Sequence, residues 1–511
     1  MNEEHGAFGF GADPVAAAPA KIVETHVSVV IFVGDRAYKL KKPVRMAFLD
    51  YSTRPAREAI CHREVELNRR LAPDVYLGVV DLVGPGGEPW DHLVAMRRMP
   101  DERRLATLVA EGRVTSPMIA SVARAMAAFH ARAERRPDID AAATPQAVRR
   151  LWVDNFTEMT DFTRSLLSPD TLGFVEGLAL SYLDGRSCLL EERIEHGRIV
   201  DGQGDLLATD IFCLDDGPRI LDCLEFDDRL RFGDVLLDVA FLAMDLEQLG
   251  RPQLARAFLD AYRDYTAETH PVSLEHHYIA YRALVRSKVS CLVATSGDPR
   301  AAASASALLD LCARHLYQGR VRLVLVGGAP GTGKSTLADE LGRRLGWTVV
   351  RSDEVRKEAA GLRPTDRAVA AYGTGLYTAA RSEATYAELL RRAEVATSRG
   401  ESVVLDASWA SAGQRDRARC LARATHTELV ELRCECPADI ATARLTARLG
   451  LGTDASDATA DVAERIRARF DPWPGAHVID NTGAVPASAA EALRWLGESR
   501  RRDPDVETAD G

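Results

Sequence analysis

One glycine-rich segment, Gly328–Thr336 (GAPGTGKST), constrains the fold of this 511-residue chain more than any other feature. It fits the pattern G-x-x-x-x-G-K-[ST], in which a loop between a strand and a helix wraps its backbone N–H groups around phosphate oxygens. The sequence therefore predicts a P-loop that binds ATP, with Lys334 at the β- and γ-phosphates and Ser335 on Mg²⁺. The predicted nucleotide contacts are Gly328, Ala329, Pro330, Gly331, Thr332, Gly333, Lys334, Ser335 and Thr336.

Strand-like runs alternate with helical segments around this loop. The apolar run 321–326 precedes it, and the further runs are 347–351, 403–405, 429–433 and 477–479. Because a βαβ rhythm of this kind is typical of a parallel sheet with helices on both faces, we expect a doubly wound α/β domain over 319–499.

Two aspartates follow strands of this domain and are expected to serve its chemistry. The run 403–406 ends in Asp406, which is predicted to hold Mg²⁺, although such an Asp can also merely open a turn. Asp353 follows the second strand, where a carboxylate can accept a proton from an acceptor hydroxyl and Arg356 can hold the acceptor. The alternative is that Ser352 or Asp353 caps the following helix.

A pair of arginines, Arg444 and Arg448, stands at i, i+4 spacing on a predicted helix. Small P-loop kinases close an arginine-bearing lid over the phosphates, which neutralises transition-state charge and excludes water. We therefore expect both side chains to contact the nucleotide. A solvated helix face is the alternative for each of them.

Charge and hydropathy exclude several classes of protein. A formal net charge of −10 argues against a nucleic-acid binder with a basic surface. The first residues lack the basic and apolar regions of a signal peptide, and no run approaches the roughly 18 apolar residues of a membrane span. The sequence thus predicts a cytoplasmic protein. Its expected divisions are a disordered lead-in over 1–20, an N-terminal domain over 21–318, the P-loop domain over 319–499 and a disordered tail over 500–511.

The N-terminal domain reads as a strand-rich lobe followed by a helical lobe. Strand patterns and one helix, 57–71, occupy 22–99, and helical spacing covers 105–134 and 168–194. Lys39 and Lys41 lie on one face of an alternating strand, and Glu64 on the following helix can pair with such a lysine. Acidic segments follow at 204–210 and 220–226.

These segments resemble the aminoglycoside phosphotransferase-like branch of the protein kinase fold. That branch carries H-G-D-x-x-x-x-N, then an apolar strand ending in a metal-binding Asp, then G-D-x-x-x-D-[LV]-A. The corresponding residues here are Gly204-Asp205 with Asp210, the strand ending in Asp222, and Gly233-Asp234-Val-Leu-Leu-Asp238-Val-Ala240, with Ala128-Phe129-His130 as a further match. The resemblance implies a bilobal kinase-like domain.

The same resemblance implies a role for each site residue. Asp205 would orient the acceptor hydroxyl, Asp210 and Asp222 would hold Mg²⁺, and Lys39 would contact the α- and β-phosphates with Glu64 as its partner. Two departures stand out, since Gln203 replaces the usual His and Asp210 replaces Asn. Either Asp222 or Glu225 can be the metal ligand, because the spacing from Asp222 to Gly233-Asp234 is longer than usual.

The chain as a whole is similar to bacterial two-domain proteins in which an aminoglycoside phosphotransferase-like domain is fused to a P-loop kinase. The N-terminal resemblance rests on 38–43, 48–51, 66–70 and 96–98. Residues 321–497 look like P-loop kinases related to gluconate kinases, polynucleotide 5′-kinases and zeta-type toxins, in which an Asp after the second strand commonly serves as base. That role is carried to Asp353 by resemblance.

The expected function is that of a bifunctional, ATP- and Mg²⁺-dependent kinase that phosphorylates small hydroxyl-bearing acceptors. Two alternatives stay open at this point. The N-terminal domain can be a non-catalytic pseudokinase that regulates a single active P-loop kinase, or the chain can be an ATP-driven switch or interaction protein without a small acceptor. The acceptor pockets of these folds have no short sequence signature.

Overall fold

The computed structural model describes residues 21–25, 27–46, 49–295, 297–363, 366, 375–451 and 460–497, with only the backbone at 46, 448–451 and 460–461. The predicted lead-in and tail lie outside these residues. Contacts divide the chain into two compact units, which are Met1–Ala143 with Gly197–Thr269, and Thr144–His196 with His270–Gly511. None of the described helices combines the length and apolar character that crossing a membrane requires.

The strands and helices of the described residues are numbered in chain order. The strands are β1 (Lys21–Glu24), β2 (Ser28–Val33), β3 (Arg36–Lys41), β4 (Arg45–Met46), β5 (Leu49–Asp50), β6 (Tyr76–Val83), β7 (Pro89–Arg97), β8 (Ile199–Asp201), β9 (Ile211–Leu214), β10 (Gly217–Ile220), β11 (Phe232–Asp234), β12 (Arg322–Gly327), β13 (Thr348–Arg351), β14 (Val403–Asp406), β15 (Glu428–Glu435) and β16 (His477–Asp480). The helices are α1 (Arg54–Asn68), α2 (Leu105–Ala110), α3 (Ser116–Arg132), α4 (Pro137–Asp140), α5 (Pro145–Met159), α6 (Pro169–Asp184), α7 (Ser187–Glu195), α8 (Val235–Gln248), α9 (Pro252–Thr266), α10 (Val272–Ala294), α11 (Pro299–Gln318), α12 (Lys334–Leu345), α13 (Ser352–Glu358), α14 (Ala379–Ser398), α15 (Ala412–Ala424), α16 (Ala438–Leu451), α17 (Ala460–Ala468) and α18 (Val485–Trp495).

The first unit is built on a five-stranded antiparallel sheet in the order β1-β2-β3-β7-β6. Helix α1 begins after Thr53, whose side chain accepts a hydrogen bond from the Ala56 N–H, and it packs against β6 and β7. Cys61 and Val65 of α1 join Val94 of β7 in one buried cluster. The strand-rich lobe predicted for 22–99 is confirmed, and its helix begins three residues earlier than expected.

The rest of the first unit combines helices with two short antiparallel ribbons. Strand β8 pairs with β11, and β9 pairs with β10. Helix α3 packs against α9, and α8 also packs against α9. The helical spacing over 105–134 covers two helices, α2 and α3, because the chain turns at Gly112, whose φ is +66°. A strand-rich lobe followed by a helical part is the arrangement that the sequence predicts for this domain.

The second unit contains a five-stranded sheet in the order β13-β14-β12-β15-β16, and every pairing in it is parallel. Alternate residues of β12 face opposite sides of this sheet. Leu323 and Leu325 pack in a cluster with residues of α14 and α15, whereas Val324 and Val326 pack with residues of α12 and α18. The predicted doubly wound α/β domain is confirmed, since both faces of the central strand are covered.

Five helices outside the α/β sheet, α5 to α7 with α10 and α11, belong to the same compact unit as that sheet. Helix α10 lies along α11, and α11 also packs against α6. Helical spacing over 168–194 predicted α6 and α7, whereas no helix was predicted over α5. The domain boundary expected near residue 318 stays a prediction.

A matched pair of glycine substitutions tests how tightly α12 packs on its sheet. A Cβ on Gly342 would lie 2.5 Å from Val349 Cγ2 and 3.0 Å from the Trp347 carbonyl oxygen, whereas one on Gly177 of α6 would meet nothing within 4 Å. We expect Gly342→Ala to destabilise the fold by about 1–3 kcal/mol. Gly177→Ala should stabilise it by about 0.5–1 kcal/mol because alanine favours helix. Thermal denaturation measures both, and equal effects would contradict the close packing at Gly342.

Candidate active sites

The P-loop connects β12 to α12 in the conformation that phosphate binding requires. Gly331 has φ +86°, and a Cβ there would lie 2.5 Å from the Ala441 carbonyl oxygen. Gly333, with φ +84°, precedes α12 and provides no side-chain cap. The first-turn N–H groups of α12, on Lys334, Ser335 and Thr336, therefore have no partner within the helix. These amides, together with the helix dipole, form a site for an anion.

One hydrogen bond within the loop and one from Asn481, the residue after β16, hold this loop. The Thr332 hydroxyl donates to the Ala329 carbonyl at 2.8 Å, and Asn481 Nδ2 donates to the Thr332 carbonyl at 3.0 Å. Arg444 Nη2 donates in turn to the Asn481 carbonyl at 2.8 Å, so it lies beside the loop. The side chain of Arg448, its predicted companion, lies outside the described residues.

Asp406 ends β14 next to the P-loop strand, in register with Val326 of β12. It is only 3% exposed, and its Oδ1 has no hydrogen-bond partner among the described residues. Burial raises the pKa of the Asp406 carboxyl, while the Lys334 ammonium and a hydrogen bond from Ser335 oppose that rise. A buried carboxylate oxygen without a donor fits a cation ligand, because burying a charge is costly unless it is paired or coordinates a metal.

Asp353 lies in the first turn of α13, close enough to Asp406 for its charge to raise the Asp406 pKa. No side chain caps α13, which begins at Ser352 after Arg351, so Asp353 is not a helix cap. Its carboxylate instead accepts a hydrogen bond from Arg356, and the guanidinium of Arg356 lies 4.8 Å from the centre of the Tyr377 ring. The carboxylate is thereby held in one orientation at the carboxyl end of the parallel strands, where the P-loop also lies.

The first unit brings Lys39, Glu64 and Asp222 together. Lys39 Nζ lies 2.9 Å from Glu64 Oε1 and 2.6 Å from Asp222 Oδ1. Glu64 is fully buried, whereas the Asp222 side chain is 50% exposed. The structure thus forms the Lys39–Glu64 pair that the strand and helix periodicities suggested.

A second lysine, Lys41, completes this charge network and was absent from the predicted site residues. Its Nζ lies 2.6 Å from Glu64 Oε2 and 2.5 Å from Glu225 Oε1. Burial opposes ionisation of Glu64, but the two ammonium groups outweigh it and lower the pKa of the Glu64 carboxyl. The i, i+2 spacing of the two lysines carried the signal, because both must lie on one face of β3.

Asp205, Asp210 and Asp222 lie close enough for their charges to interact. Burial, and then the charges of Asp222 and Asp205, raise the pKa of Asp210 to about 8. The Lys39 ammonium, by contrast, holds the pKa of Asp222 below its usual value. Glu225 instead accepts a hydrogen bond from the Lys41 ammonium group. Of the two residues that the sequence left open, Asp222 is therefore the one that faces the other aspartates.

Gln203 ties together the two loops that carry these aspartates. Its Nε2 donates to the carbonyls of Leu221 and Asp222 at 3.2 and 3.3 Å, and its Oε1 accepts from the Asp205 N–H at 2.7 Å. The side chain is completely buried. The glutamine that departs from the family pattern thus connects the two loops through its own hydrogen bonds.

Asp238 of α8 anchors the backbone of the same loop. Its carboxylate accepts the N–H groups of Gln203 and Gly204 at 2.8 and 2.9 Å. His130 Nε2 lies 3.1 Å from the same carboxylate, and His130 Nδ1 lies 2.8 Å from the Tyr262 hydroxyl. These contacts lower the pKa of Asp238 against the effect of its burial. Both Asp238 and His130 stood in the motifs behind the resemblance, although no site role was assigned to them.

Comparison with known proteins finds a family match within the second unit. Residues 323–473 match the family model described as an AAA domain. Among solved structures, the chain is similar to a gluconokinase from Sinorhizobium meliloti 1021 (16% identity, 35% of this chain and 92% of that one, TM-score 0.26). It is also similar to a choline/ethanolamine kinase family protein from Mesorhizobium loti (15% identity, 58% of this chain and 91% of that one, TM-score 0.36).

The match over 323–473 agrees with the P-loop and the all-parallel sheet of the second unit. The chain is 42% identical over 482 residues to a protein of Mycobacterium tuberculosis and to one of Mycobacterium bovis, both described as uncharacterised. The match covers 94% of this chain and 96% of each relative. This chain therefore belongs to the family of these two mycobacterial proteins.

The bridge formed by Gln203 can be tested by its removal. Gln203→Ala would remove three partly buried hydrogen bonds, from the Asp205 N–H and to the carbonyls of Leu221 and Asp222, so we expect a loss of about 1–3 kcal/mol in unfolding free energy. Gln253→Ala, at an exposed position of α9, should change stability by no more than about 0.5 kcal/mol. Chemical denaturation measures both, and similar small effects would show that the bridge contributes little.

Proposed function

We propose that the chain is an ATP-dependent tandem phosphotransferase that acts on small hydroxyl-bearing acceptors, with one site in each kinase-type domain. The observation that carries this proposal is the buried Asp406 oxygen without a partner beside Lys334 and Ser335 of the P-loop. A charge buried in this way calls for a cation, and a P-loop calls for phosphates. Together they favour a nucleotide with a divalent metal over an unliganded structural turn.

In the P-loop domain, each residue near the loop has a proposed task. The amides of 328–336 and Lys334 bind the phosphates, and Arg444, which lies beside the loop, adds positive charge there. Ser335 and Asp406 hold Mg²⁺, which neutralises phosphate charge when it is bound. Asp353, fixed by Arg356, accepts the proton of the acceptor hydroxyl.

The kinase-like domain supports a second site of the same chemical type. Lys39, held by Glu64, binds phosphate oxygens, and Asp205 orients the acceptor hydroxyl. Asp210 and Asp222 hold Mg²⁺, since they are carboxylates whose mutual repulsion a cation would relieve. Mg²⁺ is generally bound by one or two carboxylates plus substrate phosphates. Among the described residues, accordingly, no three acidic, His or Cys side chains form a complete metal site.

If the chain has two nucleotide sites, substitutions in one site should weaken ATP binding there and leave the other site unchanged. Calorimetric titration of the full chain with Mg²⁺ and a non-hydrolysable ATP analogue should give a stoichiometry of about two, because each site carries its own phosphate and metal ligands. Lys334→Ala should weaken one site about 10²-fold and lower P-loop turnover by at least that factor. Asp222→Asn should weaken the other site alone.

Charge-matched controls separate these effects from general changes in the protein. Lys288→Ala removes a lysine of α10 that is paired with Glu158. Asp216→Asn removes a surface carboxylate that is paired with Arg219. Both should leave the two affinities unchanged. The wild type could instead bind one nucleotide per chain, with binding lost in Lys334→Ala and unchanged in Asp222→Asn. That result would show that the N-terminal domain is a pseudokinase. Hydrolysis of ATP without any phosphorylated product from a metabolite library would favour an ATP-driven switch.

The proposed base of the P-loop domain gives a separate prediction. Asp353→Asn keeps the size of the side chain but removes its basicity, so kcat should fall about 10²–10⁴-fold while ATP affinity and melting temperature change little. The measurement is product formation with an acceptor found by screening hydroxyl-bearing metabolites with labelled ATP. Glu354→Gln removes the same charge from the next residue of α13 and should change kcat by less than about threefold. Equal kcat values for the two variants would exclude Asp353 as the base.

A further inference from the structure

A cavity of about 590 Å³ lies in the second unit, away from the P-loop. Its wall includes Leu178 and Tyr182 of α6, Leu316 of α11, and residues 427–429 at the beginning of β15. All strands of the sheet are parallel, and nucleotide-binding loops lie at their carboxyl ends. The cavity lies at their amino ends instead, separated from the P-loop by the length of β12, roughly 20 Å.

Arg186 lines this cavity and is 1% exposed. Its Nη1 donates to the Thr425 carbonyl at 2.6 Å, but its Nε has no hydrogen-bond partner. No carboxylate in the described part of the chain pairs with it, and burial lowers the pKa of its guanidinium to about 10. A buried charge without a counter-charge is among the most costly features of a protein interior. The site thus presents a guanidinium whose positive charge is not balanced.

His277 supplies a second unsatisfied group in the same wall. Its Nε2 accepts a hydrogen bond from the indole N–H of Trp152 at 3.1 Å. Burial, and then the charge of Arg186, lower the pKa of His277 to about 3, so the ring is neutral and the proton is on Nδ1. That Nδ1 is buried without a partner. Both unsatisfied groups are therefore donors, and they call for an acceptor.

Most of the other charged residues of the wall are also positive. Three further arginines, Arg320, Arg419 and Arg423, line the cavity with a single carboxylate, Glu428. That carboxylate is already engaged, since it lies 3.1 Å from Arg320 Nη1 and 3.0 Å from Arg322 Nε. Arg419 is paired with Asp416 and Glu431, which lie outside the wall. Arg186 and Arg423 are therefore the arginines of the wall that lack a carboxylate partner among the described residues, and they leave the cavity with an excess of positive charge.

The remaining surface suits a flat apolar group. The Tyr182 and His277 rings stack with centres 4.4 Å apart, and Leu178, Leu316 and Leu429 add aliphatic surface. A volume of about 590 Å³ lies within the range of roughly 300–1,000 Å³ for small-molecule sites. Apolar walls with a few converging polar groups are typical of sites for small organic ligands.

We propose that this cavity binds a small organic anion, which carries a carboxylate or phosphate group against Arg186 and His277 and a ring against the apolar wall. The site is separate from both phosphotransfer sites. Because helices α6, α10 and α11 line it together with β15 and α15, a bound anion connects these elements and stabilises the second unit.

The test uses two probes that share a ring and differ in their acidic group, phenyl phosphate and benzoate. Calorimetric titration of the full chain should show binding of at least one of them, and a preference identifies the acidic group that the site takes. Arg186→Met should weaken that binding about tenfold or more, since it removes a charge-assisted hydrogen bond. Lys334→Ala should leave it within about twofold, which separates the cavity from the P-loop.

A matched variant controls for the loss of one positive charge. Arg391→Met removes an arginine paired with Glu388 on the surface of α14, and the probe affinity should stay within about twofold. If Arg186→Met does not fold, His277→Phe keeps a ring but removes the Nδ1 donor and should weaken binding about fivefold or more. The proposal is overturned if neither probe binds at about 10 mM, or if the cavity variant that folds binds them like the wild type.

Discussion

The N-terminal site depends on the ion pairs of the fully buried Glu64 carboxylate. This carboxylate lies between two ammonium groups, those of Lys39 and Lys41, which hold it ionised although burial favours the neutral form. Removing either lysine would leave Glu64 and two further carboxylates, Asp222 and Glu225, with a single ammonium group, which is more destabilising than losing a surface ion pair. The position of Lys39, and through it that of Asp222, is therefore set by helix α1 packing on the sheet.

The P-loop site is positioned mainly by its backbone conformation. Its backbone is shaped by glycines at positive φ and held by Asn481. The groups proposed to meet ligand are the first-turn amides of α12, which have no partner within the helix, and Asp406 Oδ1, which has no hydrogen-bond partner among the described residues. In the N-terminal site the charged groups neutralise one another instead. The two sites thus differ in how their charge is balanced, although the proposed chemistry is the same.

Local patterns predicted the elements well, because strand alternation, helical spacing and the glycine loop are properties of a few neighbouring residues. The P-loop, the parallel strands and the Lys39–Glu64 pair all have such a signal. The roles of Gln203, Asn481 and Arg186 do not. Each depends on a partner distant in sequence, for example the Thr425 carbonyl for Arg186, and only the folded chain brings the two together. A single sequence carries no local trace of such a contact.

The Lys39–Asp222 pair connects the N-terminal geometry to its proposed chemistry. The two groups are 2.6 Å apart, and Asp222 adopts φ +57°, a left-handed conformation that is uncommon for residues other than glycine. In the proposed function Lys39 binds phosphate and Asp222 binds the metal, so nucleotide binding must exchange their direct ion pair for two new contacts. Glu64 still balances Lys39 during that exchange. Glu64 therefore lets Lys39 exchange Asp222 for a phosphate without becoming a buried, unpaired charge.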